Sequence, residues 1–156
     1  MQLNQVKTWS AGAQALALLT AVHERKWTTY LTEPRDLDDL AKFTLLPTDR
    51  LRDVLAALES IGVVQLTDRG ATLTPEYAAL LSDDAPFSLD NLLDEAQMMS
   101  RLVVDAVHGV SSGPDDALTV ANAYGLRPSA TAQAMFGQLL DALPDFRDAL
   151  ADGRYL

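Results

Sequence analysis

The sequence predicts a mainly α chain: a winged helix-turn-helix with a small β-hairpin wing, followed by a helical extension. Three observations carry this expectation. Apolar residues recur at helical spacing along most of the 156 residues. At Gly62 the spacing changes from helical to alternating, as where a helix runs into a hairpin. Between Asp36 and Pro75, helix, tight turn, helix and hairpin follow one another, which is the order of a winged helix-turn-helix. Residues 1–86 are predicted to be the winged-helix domain with its leading helix, and residues 87–156 the helical extension.

The elements can be justified in order. Leu3, Val6, Ala13, Leu16, Leu19 and Val22 sit close to helical spacing over residues 3–26, and Gly12 is a candidate break at a cost of about 1 kcal/mol relative to alanine. Trp27 to Leu31 is aromatic and β-branched and reads as a short strand or anchored loop. Asp36 is placed to cap a short helix, with Asp38 and Asp39 at the positive end of its dipole. Thr44 to Leu46 is the turn, and Pro47 suits the first position of the next helix. That helix carries Leu51, Val54, Leu55, Leu58 and Ile61 at helical spacing, and Gly62 sits where a left-handed cap is expected. Val63, Val64 and Leu66 then read as a strand, Asp68-Arg69-Gly70 as a turn and Ala71 to Thr74 as the return strand.

After the wing, Pro75 to Leu81 is a helical turn or two, and Ser82 to Pro86 a polar joint. A long helix from about Ser88 to His108 shows a wide apolar face of Leu89, Leu92, Leu93, Ala96, Met99, Leu102, Val103, Ala106 and Val107. Val110 to Pro114 reads as a linker. Further helices are predicted over 115–124 and 129–143, and from Pro144 to near Gly153. The apolar faces outside the helix-turn-helix exceed what a wing domain needs, which points to a homodimer of intertwined helices.

Composition narrows the function classes. At 48% hydrophobic and 22% charged the chain is of globular type. No run approaches the ~20 apolar residues of a membrane span, so no membrane partner is expected. The start, MQLNQVKTWSAGAQALALLT, lacks the basic head and clean apolar core of a secretory leader, and the expected compartment is the cytoplasm. Without cysteine there is no disulfide, no thiolate metal site and no cysteine nucleophile. The net charge of −10 disfavours nucleic acid as a partner, because affinity for a polyanion comes largely from Lys and Arg on phosphates.

Several strings together resemble a known family: Asp36-Leu37-Asp38-Asp39-Leu40-Ala41, Arg50-Leu51-Arg52-Asp53-Val54-Leu55-Ala56-Ala57-Leu58, Ile61-Gly62-Val63-Val64 and Leu73-Thr74-Pro75. They are similar to the N-terminal domain of class I S-adenosylmethionine-dependent methyltransferases, most of all the small-molecule O-methyltransferases of plant and bacterial secondary metabolism. Ala134-Met135 falls where that family often has Ala-Met preceded by an aromatic; Thr131 stands at the aromatic position, a departure. Leu143-Pro144 and Gly153-Arg154-Tyr155-Leu156 resemble the approach to the first strand of the catalytic domain.

The resemblance implies a dimerisation domain that supplies a lid to the neighbouring active site and usually reads no DNA. It also implies a catalytic methyltransferase domain, in cis or in trans, that holds S-adenosylmethionine. The acidic residue and glycine-rich loop that bind this cofactor are not in the sequence, whose eight glycines are scattered. No cofactor and no catalytic role are therefore expected for this chain alone. Met135, by the resemblance, lines a substrate pocket between domains. Phe136 and Met99, with Met98, are further adaptable apolar contacts for a planar substrate, and ordinary core or dimer packing is the favoured explanation of all of them, since a methionine at helical spacing is usually core.

Other candidates are weaker. His23 and His108 lie at helix ends, outside any metal-ligand spacing, where a partial positive charge suits the dipole. Asp83-Asp84 and Asp115-Asp116 sit near helix starts, where capping explains them. The alternative function is a DNA-binding regulator whose third helix and wing tip would offer Arg50, Arg52 and Arg69 to the major groove. Asp49, Asp53, Glu59 and Asp68 would stand among those arginines and repel phosphate. A stand-alone interaction protein is the remaining alternative.

Overall fold

A computed structural model describes residues 3–68 and 70–151. The chain is mainly helical with one small three-stranded antiparallel sheet, and it divides into two compact units, Met1–Ala78 and Ala79–Leu156.

The first unit opens with α1 (Leu3–Glu24), α2 (Trp27–Tyr30) and the two-residue strand β1 (Arg35–Asp36). Then come α3 (Leu37–Thr44), α4 (Thr48–Ser60), β2 (Val64–Leu66) and β3 (Gly70–Leu73). The sheet order is β1-β3-β2, with Arg35 opposite Ala71 and Asp36 opposite Gly70 on one side, and Val64 opposite Leu73 on the other. At Gly70 a Cβ would lie 1.9 Å from the Arg35 carbonyl oxygen, so only glycine allows β1 this close.

The core of this unit is Leu31, Leu40, Leu51, Leu58 and Val64, all essentially sealed from solvent. The three leucines of α4 that recur at positions 51, 55 and 58 form its buried stripe, Val54 beside them is half-buried, and the other residues of the helix are exposed. Asp36 caps α3 by accepting the Asp39 amide at 2.8 Å, as its position predicts. Gly62 has φ +77 and ends α4, with Val63 donating back to the Leu58 carbonyl at 2.9 Å. The three-residue joint between α3 and α4 begins at Leu45, which takes a left-handed φ of 59 without being glycine.

Three local expectations are corrected. Gly12 does not break α1, which runs through it unbroken; an isolated glycine costs about 1 kcal/mol, too little to end a helix of this length. Trp27 to Tyr30 is a turn of helix, not a strand or loop. Trp27, Thr28 and Leu31 are buried there, and this burial outweighs the strand preference of their side chains. Pro47 caps α4 instead of starting it, since its ψ of 141 is extended.

The boundary falls within α5 (Pro75–Leu81), whose last three residues open the second unit, followed by α6 (Leu89–Val107), α7 (Pro114–Ala123), α8 (Ala130–Ala142) and α9 (Pro144–Ala151). The predicted linker is one residue shorter than expected, because Pro114 already begins α7, a position where its missing N–H costs nothing. Ser88 and Ser129 cap α6 and α8, accepting the Asn91 and Ala132 amides at 3.4 and 3.1 Å. The run Gly153-Arg154-Tyr155-Leu156 lies outside the described residues. None of the described helices is long and apolar enough to cross a membrane.

Candidate functional site

A groove in the first unit lies between α4, the start of α3 and the hairpin. It has a volume of about 390 Å³ and is lined by Leu37, Leu55, Ala56 and Leu66, with Arg52, Thr67, Asp68 and Gly70 at its polar edge. The hairpin is braced at this edge. Thr67 donates its amide to the Gly70 carbonyl at 2.9 Å and accepts the Gly70 amide on its hydroxyl at 3.1 Å. Glu59, on the last turn of α4, accepts the Leu66 amide at 3.2 Å, so its carboxylate is committed to the hairpin.

Arg50 and Arg52 both lie on the exposed face of α4, as the sequence places them. Their company is acidic. The Arg52 guanidinium is 3.5 Å from the Asp49 carboxylate, one turn back on the same helix, and Asp53 is exposed beside them. A surface pair of this kind adds little stability, but it lowers the charge the arginine offers to a phosphate. Arg69 lies outside the described residues.

The methionine and phenylalanine candidates fall on the second unit. Met135 and Phe136 are neighbours on α8, exposed 42% and 45%, and Met99 is on α6, exposed 43%. None of the three lines the cleft of about 530 Å³ between α6 and α7. That cleft is lined by Met98, Asp94, Gln97, Arg101, Asp115, Asp116 and Thr119. Met98 is the buried methionine of the pair and Met99 the exposed one, a choice of helix face that adjacency in sequence does not reveal.

An ionic staple that the sequence reading missed crosses this cleft. The Arg101 guanidinium meets the Asp116 carboxylate and lies 3.7 Å from Asp105 on its own helix. Asp116 also accepts the Gly113 amide at 2.8 Å, capping α7. That backbone bond first, and Arg101 second, hold its carboxyl below the usual carboxylate range. Asp84 does the same for α8. It accepts the Thr131 hydroxyl at 2.7 Å and the Thr131 amide at 3.3 Å, and these bonds lower its pKa. Both acidic pairs singled out in sequence thus contain a helix-capping carboxylate.

The histidines have structural settings. His23 Nδ1 is 3.0 Å from the Thr28 hydroxyl, tying the end of α1 to α2, and the His108 backbone caps α6. Among the described residues no group of three or more His, Asp or Glu is arranged to hold a metal ion. Tyr77 is buried, and its hydroxyl has no hydrogen-bond partner among the described residues; burial raises its pKa. No family model, curated protein or solved structure matches the chain.

Proposed function

We propose that the first unit is a winged helix that pairs proteins instead of reading DNA. On this reading the chain is the dimerisation and substrate-lid part of an S-adenosylmethionine-dependent small-molecule methyltransferase. The cofactor and the reacting groups would belong to a catalytic domain supplied in cis or in trans, in the cytoplasm. The order α1-α2-β1-α3-α4-β2-β3, with β1 closing the sheet against β3, supports the winged-helix reading. The methyltransferase assignment rests on the sequence resemblance.

One observation carries the choice of protein over DNA. The outward face of α4, the helix that would enter a groove, interleaves Asp49, Asp53 and Glu59 with its two arginines, and Arg52 already has Asp49 at 3.5 Å. A duplex laid on this face would meet carboxylates beside every cation.

The deciding experiment is fluorescence anisotropy on a random-sequence duplex at low salt. No salt-sensitive binding is expected at micromolar protein. Salt-sensitive binding that falls on Arg50→Ala or Arg52→Ala would establish the regulator reading instead. The methyltransferase assignment is checked in the gene: an open frame after the codon for Leu156, or in an adjacent gene, should encode Asp-x-Gly-x-Gly after a strand. Its absence from both would remove that assignment.

A further inference from the structure

The groove beside α4 joins an apolar floor to an edge that carries both signs of charge. Leu55 is buried beneath it, and Leu37 of α3 and Leu66 of β2 are half-buried along it. Ala56 is exposed there, and its single methyl leaves open the space that a longer side chain on α4 would fill. Arg52 stands one turn before Ala56 on the same face of the helix. Thr67 and Asp68, just past β2, line the groove from the hairpin.

These polar groups have bonding capacity to spare. Arg52 lies 3.5 Å from the Asp49 carboxylate without a hydrogen bond, and the Asp49 side chain is 96% exposed. The five N–H donors of the guanidinium are therefore open to a ligand. The Thr67 hydroxyl accepts the Gly70 amide at 3.1 Å, which leaves its own proton to donate. Asp68 has no hydrogen bond or ion pair among the described residues. Arg52 and Asp68 thus line one groove with opposite charges and do not pair with each other.

We propose that this groove binds a free α-amino acid with a large apolar side chain. The carboxylate lies against Arg52 and the Thr67 hydroxyl, the ammonium group against Asp68, and the side chain over Ala56 on the three leucines. Size restricts the occupant, since about 390 Å³ is near the lower end of the ~300–1,000 Å³ of small-molecule sites. Charge selects the class. A purely anionic ligand would meet Arg52 but face Asp68, with Asp49 and Asp53 exposed on the same helix. A purely cationic one would face Arg52. A zwitterion satisfies both, and in an α-amino acid the two charges and the apolar group branch from one carbon. The acidity that turns a polyanion away from α4 does not oppose a ligand without net charge. The groove lies wholly within the first unit, so the proposal goes beyond the pairing reading and does not depend on it.

Amide NMR spectra of the isotope-labelled full chain, titrated with L-leucine at millimolar concentration, test it. Shifts are expected at Leu37, Ala56, Leu66, Thr67 and Gly70. Isocaproate, which is leucine without its amine, and isopentylamine, which is leucine without its carboxylate, should each bind about tenfold more weakly or worse. Arg52→Gln and Asp68→Asn, both at exposed positions, should each weaken L-leucine by about tenfold. Ala56→Leu keeps a good helix former but fills the floor, and it should abolish the shifts with an unchanged circular-dichroism spectrum. The proposal is overturned if neither L-leucine nor the larger L-phenylalanine shifts the groove amides. It is equally overturned if isocaproate or isopentylamine binds as well as L-leucine, or if Arg52→Gln binds L-leucine unchanged. None of these readouts bears on self-pairing, so the two readings fail separately.

Discussion

The two units close their interiors by different means. In the first, large side chains from separate elements converge: Leu31 after α2, Leu40 on α3, Leu51 and Leu58 on α4 and Val64 on β2 are all 1% exposed or less. In the second, the buried apolar residues are Ala85, Leu93, Met98, Ala123 and Ala132, three of them alanines, while Val103, Val107, Leu118, Leu139 and Leu143 lie open. The helices of the second unit are tied instead by side-chain bonds at their ends, Asp84 on α8 and Asp116 on α7. Apolar burial contributes about 25 cal/mol per Å² removed from water, whereas exposed caps and ion pairs contribute on the order of 1 kcal/mol each. The first unit therefore relies mainly on apolar burial, and the second more on bonds at its helix ends.

The sharpest way to break this comparison is truncation in each interior. Leu58→Ala, at 0% exposed, should cost about 2–5 kcal/mol in denaturant unfolding, because α4, the sheet and their neighbours cannot collapse onto the gap. Leu93→Ala, at 7%, should cost about 2 kcal/mol, at the bottom of that range. Equal costs would mean that the second unit has a core of its own.

The caps give a smaller test. Asp36→Ala on α3 and Ser129→Ala on α8 should each cost about 1 kcal/mol. The loss at Ser129 should appear as faster amide exchange confined to the first turn of α8, since little apolar packing holds that end. A global loss of protection from Ser129→Ala would contradict the picture of end-tied helices.

Acid should act mainly on the second unit. Asp84 and Asp116 have folded pKa values below the ordinary one, so their contribution is complete above the unfolded carboxyl pKa of about 3.9 and is lost as pH falls through the folded values. Between pH 7 and about pH 2 the amides of Thr131 and Gly113 should lose exchange protection. The double variant Asp84→Asn, Asp116→Asn should flatten that dependence. Protection that is independent of pH in the unmodified chain would show that these carboxylates do not hold the helix ends.

Much of this organisation was legible in the sequence. α3, α4, α6 and α8 announced themselves by apolar periodicity, and Asp36 by cap chemistry, because both signals act within a few residues. The unread parts depend on partners far away in the chain. β1 is two residues long and exists only because Ala71 and Gly70 lie beside it. α2 is set by the burial of Trp27 and Thr28, and its own residues favour a strand. The Arg101–Asp116 staple joins two helices that no local pattern links, and only the packing of α6 decides that Met98 turns inward while Met99 turns out. The arginine candidates on α4 were placed on the right face, but the ion pair that blunts Arg52 needed coordinates.

One carbonyl has a mechanical consequence. The oxygen of Leu31, just past α2, accepts the Leu73 amide at 3.0 Å and the Thr72 hydroxyl at 3.4 Å, both from β3. The tail of α1 is bolted to α2 through His23 and Thr28. A tug on the first helix is thus delivered to the base of the hairpin, at the end of β3 away from its turn.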